Sequence, residues 1–228
     1  MKSPIRVSLA LSIVAFFCLG TATLAGTKED GDVLVTKSRV VVEEMFLSPD
    51  KGIPRYLIEK CSGLAIIPDM IKGGFIVGGS YGKGVVMAHK SEGWTGPSFI
   101  YIGAGSLGFQ IGVQSTDLIL VIVGQKTMDA FLESQFKLGA DVAIAAGPIG
   151  AQATAATEIM LKGGIYSYSR AKGLFAGVSL EGAAIGNDFD LNRAYYGTVS
   201  TAKGILQGGL ETPPAGQKLR EVLNNIKP

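Results

Sequence analysis

The chain has 228 residues, with 21 Lys and Arg against 19 Asp and Glu, two cysteines and one histidine. That length suits one domain with a core of its own, and so few Cys and His exclude a zinc site of the usual kind. Residues 1–25 hold two cations, Lys2 and Arg6, and no acid; without them the balance is 21 − 2 = 19 cations against 19 acids, which leaves no global positive field to draw in nucleic acid.

Lys2 and Arg6 open a positive segment, and Val7 to Leu19 is an apolar run too short to span a bilayer comfortably. Thr23-Leu24-Ala25 supplies small residues for cleavage. Residues 1–25 therefore read as a secretory signal cut after Ala25, and 26–228 as a single domain. An uncleaved anchor is the alternative. Cys18 follows the bulky Phe17, where a lipobox wants a small residue, so acylation is not expected. The remaining chain keeps only Cys61, and no intrachain disulfide can form.

Gly26 to Asp32 is polar and reads as loose. Val33-Leu34, Val40-Val41 and Met45-Phe46 then recur about every seven residues, one face of a helix. Ser48 to Pro54 ends it, and a short helix follows near Arg55 to Lys60. From Gly63 to Val123 the apolar runs are short, β-branched and broken by glycine, the pattern of strands. Lys72 and Lys83 flank a glycine-rich hairpin there. Leu118 to Val123 is continuously apolar, a strand buried on both faces. Lys126 to Gln135 reads as a helix with Met128, Phe131 and Leu132 on one side, and Gly139 to Ala156 as strand or extended chain. Tyr168 to Gly182 reads as a hairpin turning at Gly173, with Arg170 and Lys172 driven to solvent. In the tail, Leu219, Val222, Leu223 and Ile226 lie at helical spacing.

Gly103-Ala104-Gly105-Ser106-Leu107-Gly108 is a literal GxGxxG. A dinucleotide site needs a helix next, whose N-terminus holds the pyrophosphate. Leu107, Phe109, Ile111 and Val113 alternate with period two instead, so the motif reads as a turn between strands. Gly82-Lys83 fails as a P-loop because Val77 stands at its first glycine and Gly84 at its Ser or Thr. Nothing local brings His89 to Cys61, so no catalytic pair is assigned. Asp188 and Asp190 bracket Phe189 with too few oxygens for calcium and read as a polar turn. Glu181, in an apolar strand, either faces water or needs Arg170 or Arg193 as partner.

Tyr168-Ser169-Arg170-Ala171-Lys172-Gly173 through Gly182 resembles the signature of the SYLF domain family, a lipid-binding module also called the yeast-type actin-binding domain. Further motifs agree in order. They are Cys61 to Pro68, the glycine-rich Lys72 to Val86, Trp94-Thr95-Gly96-Pro97, Leu138 to Asp141, Ala146 to Gly150 and Asn192 to Gly197. The likeness covers Asp32 to the C-terminus.

The expected fold is β-rich α+β: a curved or barrel-like antiparallel sheet with flanking N- and C-terminal helices. The resemblance implies a non-catalytic lipid-binding protein without cofactor, metal or nucleotide, acting on phospholipid or an anionic membrane surface. Lys72, Lys83, Arg170 and Lys172 are the candidate lipid contacts, sharing one end of the sheet. Eukaryotic members are associated with phosphoinositides, often through an amphipathic N-terminal helix, and some bind actin. Here the first helix carries Glu43 and Glu44 beside Lys37 and Arg39 and is no basic membrane helix. The signal points to a bacterial envelope, periplasm or outer-envelope associated. The alternative function is a structural envelope protein that assembles with itself or a partner.

Overall fold

The computed structural model describes residues 26–46, 53–148, 164–171, 174–177 and 180–226. Helix α1 spans Lys28–Phe46 and starts in the stretch expected to be loose. The Thr27 hydroxyl accepts the Asp30 amide at 3.1 Å while Asp30 accepts the Thr27 amide at 2.9 Å, a reciprocal cap. Those bonds hold the Asp30 carboxyl below the usual carboxylate range. Helix α2 (Arg55–Lys60) follows.

Strands β1 (Gly63–Lys90) and β2 (Gly93–Val123) form one ladder from Lys90↔Gly93 to Gly63↔Ile122. A straight strand of β1's length would reach about 90 Å, so it has to bend. Register shifts fall between Ile67 and Met70, Gly74 and Ile76, and Val86 and Ala88, with Asp69 at φ 50 beside the first. The ribbon folds back until β1 meets itself. The His89 amide donates to the Ser62 carbonyl at 2.9 Å, and a Cβ on Gly84 would stand 2.2 Å from the Ile66 carbonyl oxygen. The hairpin turn lies at Ser91-Glu92, not between Lys72 and Lys83, which belong to one strand. Gly103 to Gly108 likewise stays in the ladder, opposite Tyr81 to Ile76, rather than forming a turn. Phe109 to Val113 is extended as expected, and no helix follows the motif.

Helix α3 (Gln125–Asp129) runs into a single 3-10 turn (Ala130–Leu132). Strands β3 (Gln135–Lys137), β4 (Ile144–Ala146), β5 (Gly164–Ala171), β6 (Leu174–Gly177) and β7 (Ala184–Asn187) complete a seven-stranded sheet. β7 joins β2 at Ile100–Gly103, β5 joins it at Asp117–Val123, and β3 lies outside β7. β5 and β6 form the expected hairpin, Ala171 opposite Leu174. The sheet is antiparallel except where β4 runs parallel to β5. Helices α4 (Phe189–Tyr196), α5 (Ala202–Leu206) and α6 (Pro214–Asn224) follow. Glu181 sits exposed in a turn with Gly182 at φ +82, not in a strand.

The curled sheet separates two cores. One holds Leu64, Ile66, Val85, Met87, Phe99, Ile119 and Val121 under α1, α2, α4 and α6. The other holds Ile67, Met70, Ile100, Ile102, Leu118, Leu120 and Ile185 with α3 and α5. Asn192 ties α4 to the sheet. Its side-chain oxygen accepts the Phe99 amide at 2.9 Å and its nitrogen donates to the Phe99 carbonyl at 3.3 Å, so it pairs like a neighbouring strand. The Tyr195 hydroxyl accepts the Gly216 amide at 3.1 Å, and the Tyr196 hydroxyl donates to the Pro97 carbonyl at 2.7 Å.

Candidate functional site

The candidate cations among the described residues occupy different places. Lys72 is exposed on the bent part of β1, opposite Gln114. Lys83 lies 2.7 Å from Asp188, the same carboxylate that caps α4 by accepting the Leu191 amide at 3.1 Å. Desolvation opposes charge on Lys83, yet Asp188, Tyr81 and Asp30 together raise its pKa. The polar-turn reading of Asp188 is thereby given a role. Arg170 reaches Asp117 at 2.8 Å and also pairs with Glu44 of α1; its pKa is raised against desolvation by those two carboxylates. Lys172 lies outside the described residues. Lys83 faces the start of α1 and Arg170 its end. Asp30 and Glu44 are fourteen residues apart, about 20 Å at the helical rise. The structure therefore does not gather Lys83 and Arg170 into one patch.

Arg170 belongs instead to a network under α1. Lys37 meets Asp69 at 2.8 Å, and Asp117 Oδ1 accepts the Asp69 amide at 3.1 Å. The network runs Lys37, Asp69, Asp117, Arg170, Glu44. It fixes the bulge in β1, the start of the β2–β5 pairing and the end of α1 together.

Exposed apolar side chains collect around the same bend. The described large hydrophobics left in water are Val33, Val40, Ile71, Tyr81, Val113, Phe189 and Val199. Val33 and Val40 flank Lys37 on α1 at helical spacing. Ile71 stands two residues past Asp69. Val113 pairs with Gly73, diagonal to Ile71 on the same face of the ladder. Tyr81 and Phe189 flank the Lys83–Asp188 pair, and Lys83 feels Asp30, one turn before Val33. Ile71 and Val113 thus lie together on the bent ribbon, beside the Lys37–Asp69 pair that Val33 and Val40 flank. Val113 is 81% exposed and Ile71 55%, and adjacent apolar side chains left in water are more informative than scattered ones.

The sequence reading missed this surface because it placed Val33 and Val40 on the buried face of α1. The buried stripe is Val35, Ser38, Val42 and Met45, with Val41. The signal was present. Val33-Leu34-Val35 and Val40-Val41-Val42 are consecutive triplets, and one helix face cannot bury three neighbours in a row.

His89 and Cys61 do meet, but through the backbone. His89 Nδ1 lies 3.1 Å from the Cys61 carbonyl, and its ring stacks on Trp94 with centroids 4.5 Å apart. Cys61 Sγ donates to the Ile58 carbonyl at 3.1 Å, and burial pushes its thiol up to about 12. A thiol so protonated is no nucleophile at neutral pH.

Residues 103–226 match the family described as Ysc84, Las17-binding protein actin regulator. The chain belongs to this family. It is 36% identical over 200 residues to Protein YSC84 of Saccharomyces cerevisiae, covering 83% of this chain and 42% of that protein. LAS seventeen-binding protein 3 of the same yeast is also 36% identical over 200 residues, 83% of this chain and 43% of that one. SH3 domain-containing YSC84-like protein 1 of Homo sapiens is 35% identical over 180 residues, 78% of this chain and 52% of that one. The chain spans about half the length of the curated relatives it matches. The family is the one that the SYLF motifs indicated. Several of those motifs build the frame just described: Arg170 the network under α1, Asn192 the joint between α4 and β2.

Proposed function

We propose that this chain is a non-catalytic lipid-binding protein that docks on an anionic phospholipid surface in a bacterial cell envelope. The observation that supports it is the apolar side at the bent ribbon, where Ile71, Val113, Val33 and Val40 stand in water. Each such side chain gains by leaving water for the acyl boundary of a bilayer. Lys72, close by on the ribbon, adds a cation for anionic headgroups. No helix among the described residues is long and apolar enough to cross a membrane. Residues 1–25 act as an export signal, and the working protein begins at Gly26. The relatives' names speak of Las17 binding and actin regulation. Those proteins are about twice this length, and export would part this chain from actin.

The test is co-sedimentation of residues 26–228 with vesicles of phosphatidylcholine alone and of phosphatidylcholine with phosphatidylglycerol. Wild type is expected in the pellet with the anionic vesicles. Ile71→Ser with Val113→Ser is expected in the supernatant with an unchanged circular dichroism spectrum. Wild type left in the supernatant with both vesicles at low salt overturns the reading. A stable lipid-free dimer abolished by the same substitutions assigns this side to self-assembly instead.

A further inference from the structure

A second feature lies away from the bend, beside the Ser91-Glu92 turn. A polar cavity of about 460 Å³ opens between that turn, the segment after α5 and the flank of α6. Lys90, Ser91, Glu92, Gln207, Thr212 and Arg220 are among the polar side chains that line it, with Trp94 and Leu210 as apolar neighbours. Tyr81, one of the exposed apolar side chains, is nine residues back along β1, about 30 Å for an extended strand.

Arg220 is the group that calls for a partner. It is half-buried on α6. Its hydrogen bond among the described residues runs from Nη1 to the Thr212 hydroxyl at 3.3 Å. That hydroxyl is neutral and itself donates to the Gly96 carbonyl at 3.3 Å. No carboxylate among the described residues lies within ion-pair distance of Arg220. Arg170, also half-buried, holds two. A guanidinium presents five N–H donors in a fork that fits carboxylate or phosphate, so most of this one's capacity is unused. Lys90 adds a second cation, Ser91 and Gln207 add neutral donors, and Glu92 on the exposed turn is the one opposing charge. The volume falls in the range of small-molecule pockets rather than single-ion sites.

We infer that this cavity is a binding site for a small polar molecule carrying one phosphate or carboxylate, held by Arg220 with Lys90. The polar walls favour a hydroxylated body over an acyl chain. The phosphate has two possible sources, a free solute or the headgroup of a lipid. This site does not depend on the membrane reading, because its residues lie off the apolar side.

The test is a titration of residues 26–228 followed by amide and arginine side-chain NMR. Inorganic phosphate and glycerol 3-phosphate are the free probes, phosphatidylglycerol vesicles the lipid probe, and sodium chloride of equal ionic strength the control. Glycerol 3-phosphate is expected to shift the Arg220 side-chain signal and the amides of Ser91, Gly93 and Gln207. Arg220→Gln should weaken binding about tenfold or more, and Lys90→Gln a few-fold. Lys90 is exposed, so its variant reads binding even if Arg220→Gln lowers stability. Shifts produced by vesicles and not by the free probes keep the oxyanion site and assign its ligand to a lipid headgroup. No shift with any probe at 20 mM phosphate (roughly the weakest useful affinity), or binding unchanged in both variants, overturns the site.

Discussion

At the scale of single residues, Arg170 shows what the fold adds to a side chain that the sequence marks only as a cation beside a turn, because it is paired with Asp117 and Glu44. Its place beside a turn made it look like a solvated contact, yet its side chain is 20% exposed and Asp117 17%. Arg170→Ala strands Asp117 and frees the end of α1. The expected cost is about 2 kcal/mol, below that of breaking a fully buried pair, and seen as a melting point lower by roughly 4–8 °C. A melt within 1 °C of wild type (about 0.3 kcal/mol) would show the network to be surface decoration. Arg170 is therefore unsuited to probing lipid contact, since its loss weakens the frame. A second residue-level outcome concerns alkaline pH. Burial raises the pKa of Cys61 from 9.0 to about 12, and raises those of Tyr168, Tyr195 and Tyr196. The folded state keeps these protons while the unfolded chain releases them. Stability is then fully present below about pH 9 and falls as pH rises toward the folded values, by on the order of 1 kcal/mol per unit for each group fully in that window. Urea midpoints from pH 7 to 11 should decline from about pH 9; a flat profile would show that these groups are not held protonated.

At the scale of elements, the informative glycines mark bends inside strands. A Cβ on Gly84 would meet the Ile66 carbonyl at 2.2 Å and Ile67 Cα at 2.9 Å, both backbone neighbours that cannot swing aside, whereas one on Gly105 would meet nothing within 4 Å. Gly84→Ala should lose about 3 kcal/mol or fail to fold, as overpacking against backbone does, and Gly105→Ala should stay within about 0.5 kcal/mol of wild type. Thermal melts of the two variants decide it; equal melting points would mean that β1 does not close on itself. The sequence was most readable where pattern and packing agree. Leu219 and Leu223 of α6, the apolar run Leu118 to Val123 and the hairpin through Arg170 all stand as expected. Period two after Gly108 correctly excluded a nucleotide helix. It misled where one composition serves two purposes. Glycine-rich stretches read as turns because turn and bend ask for the same residue. Only the partner strand, far off in sequence, decides that the ladder continues through Gly103 to Gly108. The parallel pairing of β4 with β5 was equally hidden, since three residues carry no directional signal.

At the scale of the whole molecule, the charge balance limits how a bilayer is found and held. Without residues 1–25 the chain carries 19 cations and 19 acids, and Lys83 and Arg170 are each met by carboxylates. The site was half legible in the sequence: the cations were visible, but which of them the fold neutralises, and which apolar residues it leaves uncovered, depend on contacts between distant segments. Two mechanisms now give different numbers. If cations hold the surface, Lys72→Ala with Lys172→Ala removes about 1 kcal/mol each, roughly thirtyfold, and raising salt from 50 to 300 mM (a Debye length falling from about 14 to 6 Å) abolishes binding. If the apolar side inserts, Ile71→Ser with Val113→Ser removes about 1.5 kcal/mol or more each, over a hundredfold, and salt has little effect. We expect the second pattern, because carboxylates meet Lys83 and Arg170 while the fold leaves Ile71 and Val113 bare. Vesicle affinities of wild type and both double variants across that salt range settle it. A larger loss from the lysine pair than from the apolar pair would return the contact to the electrostatic patch.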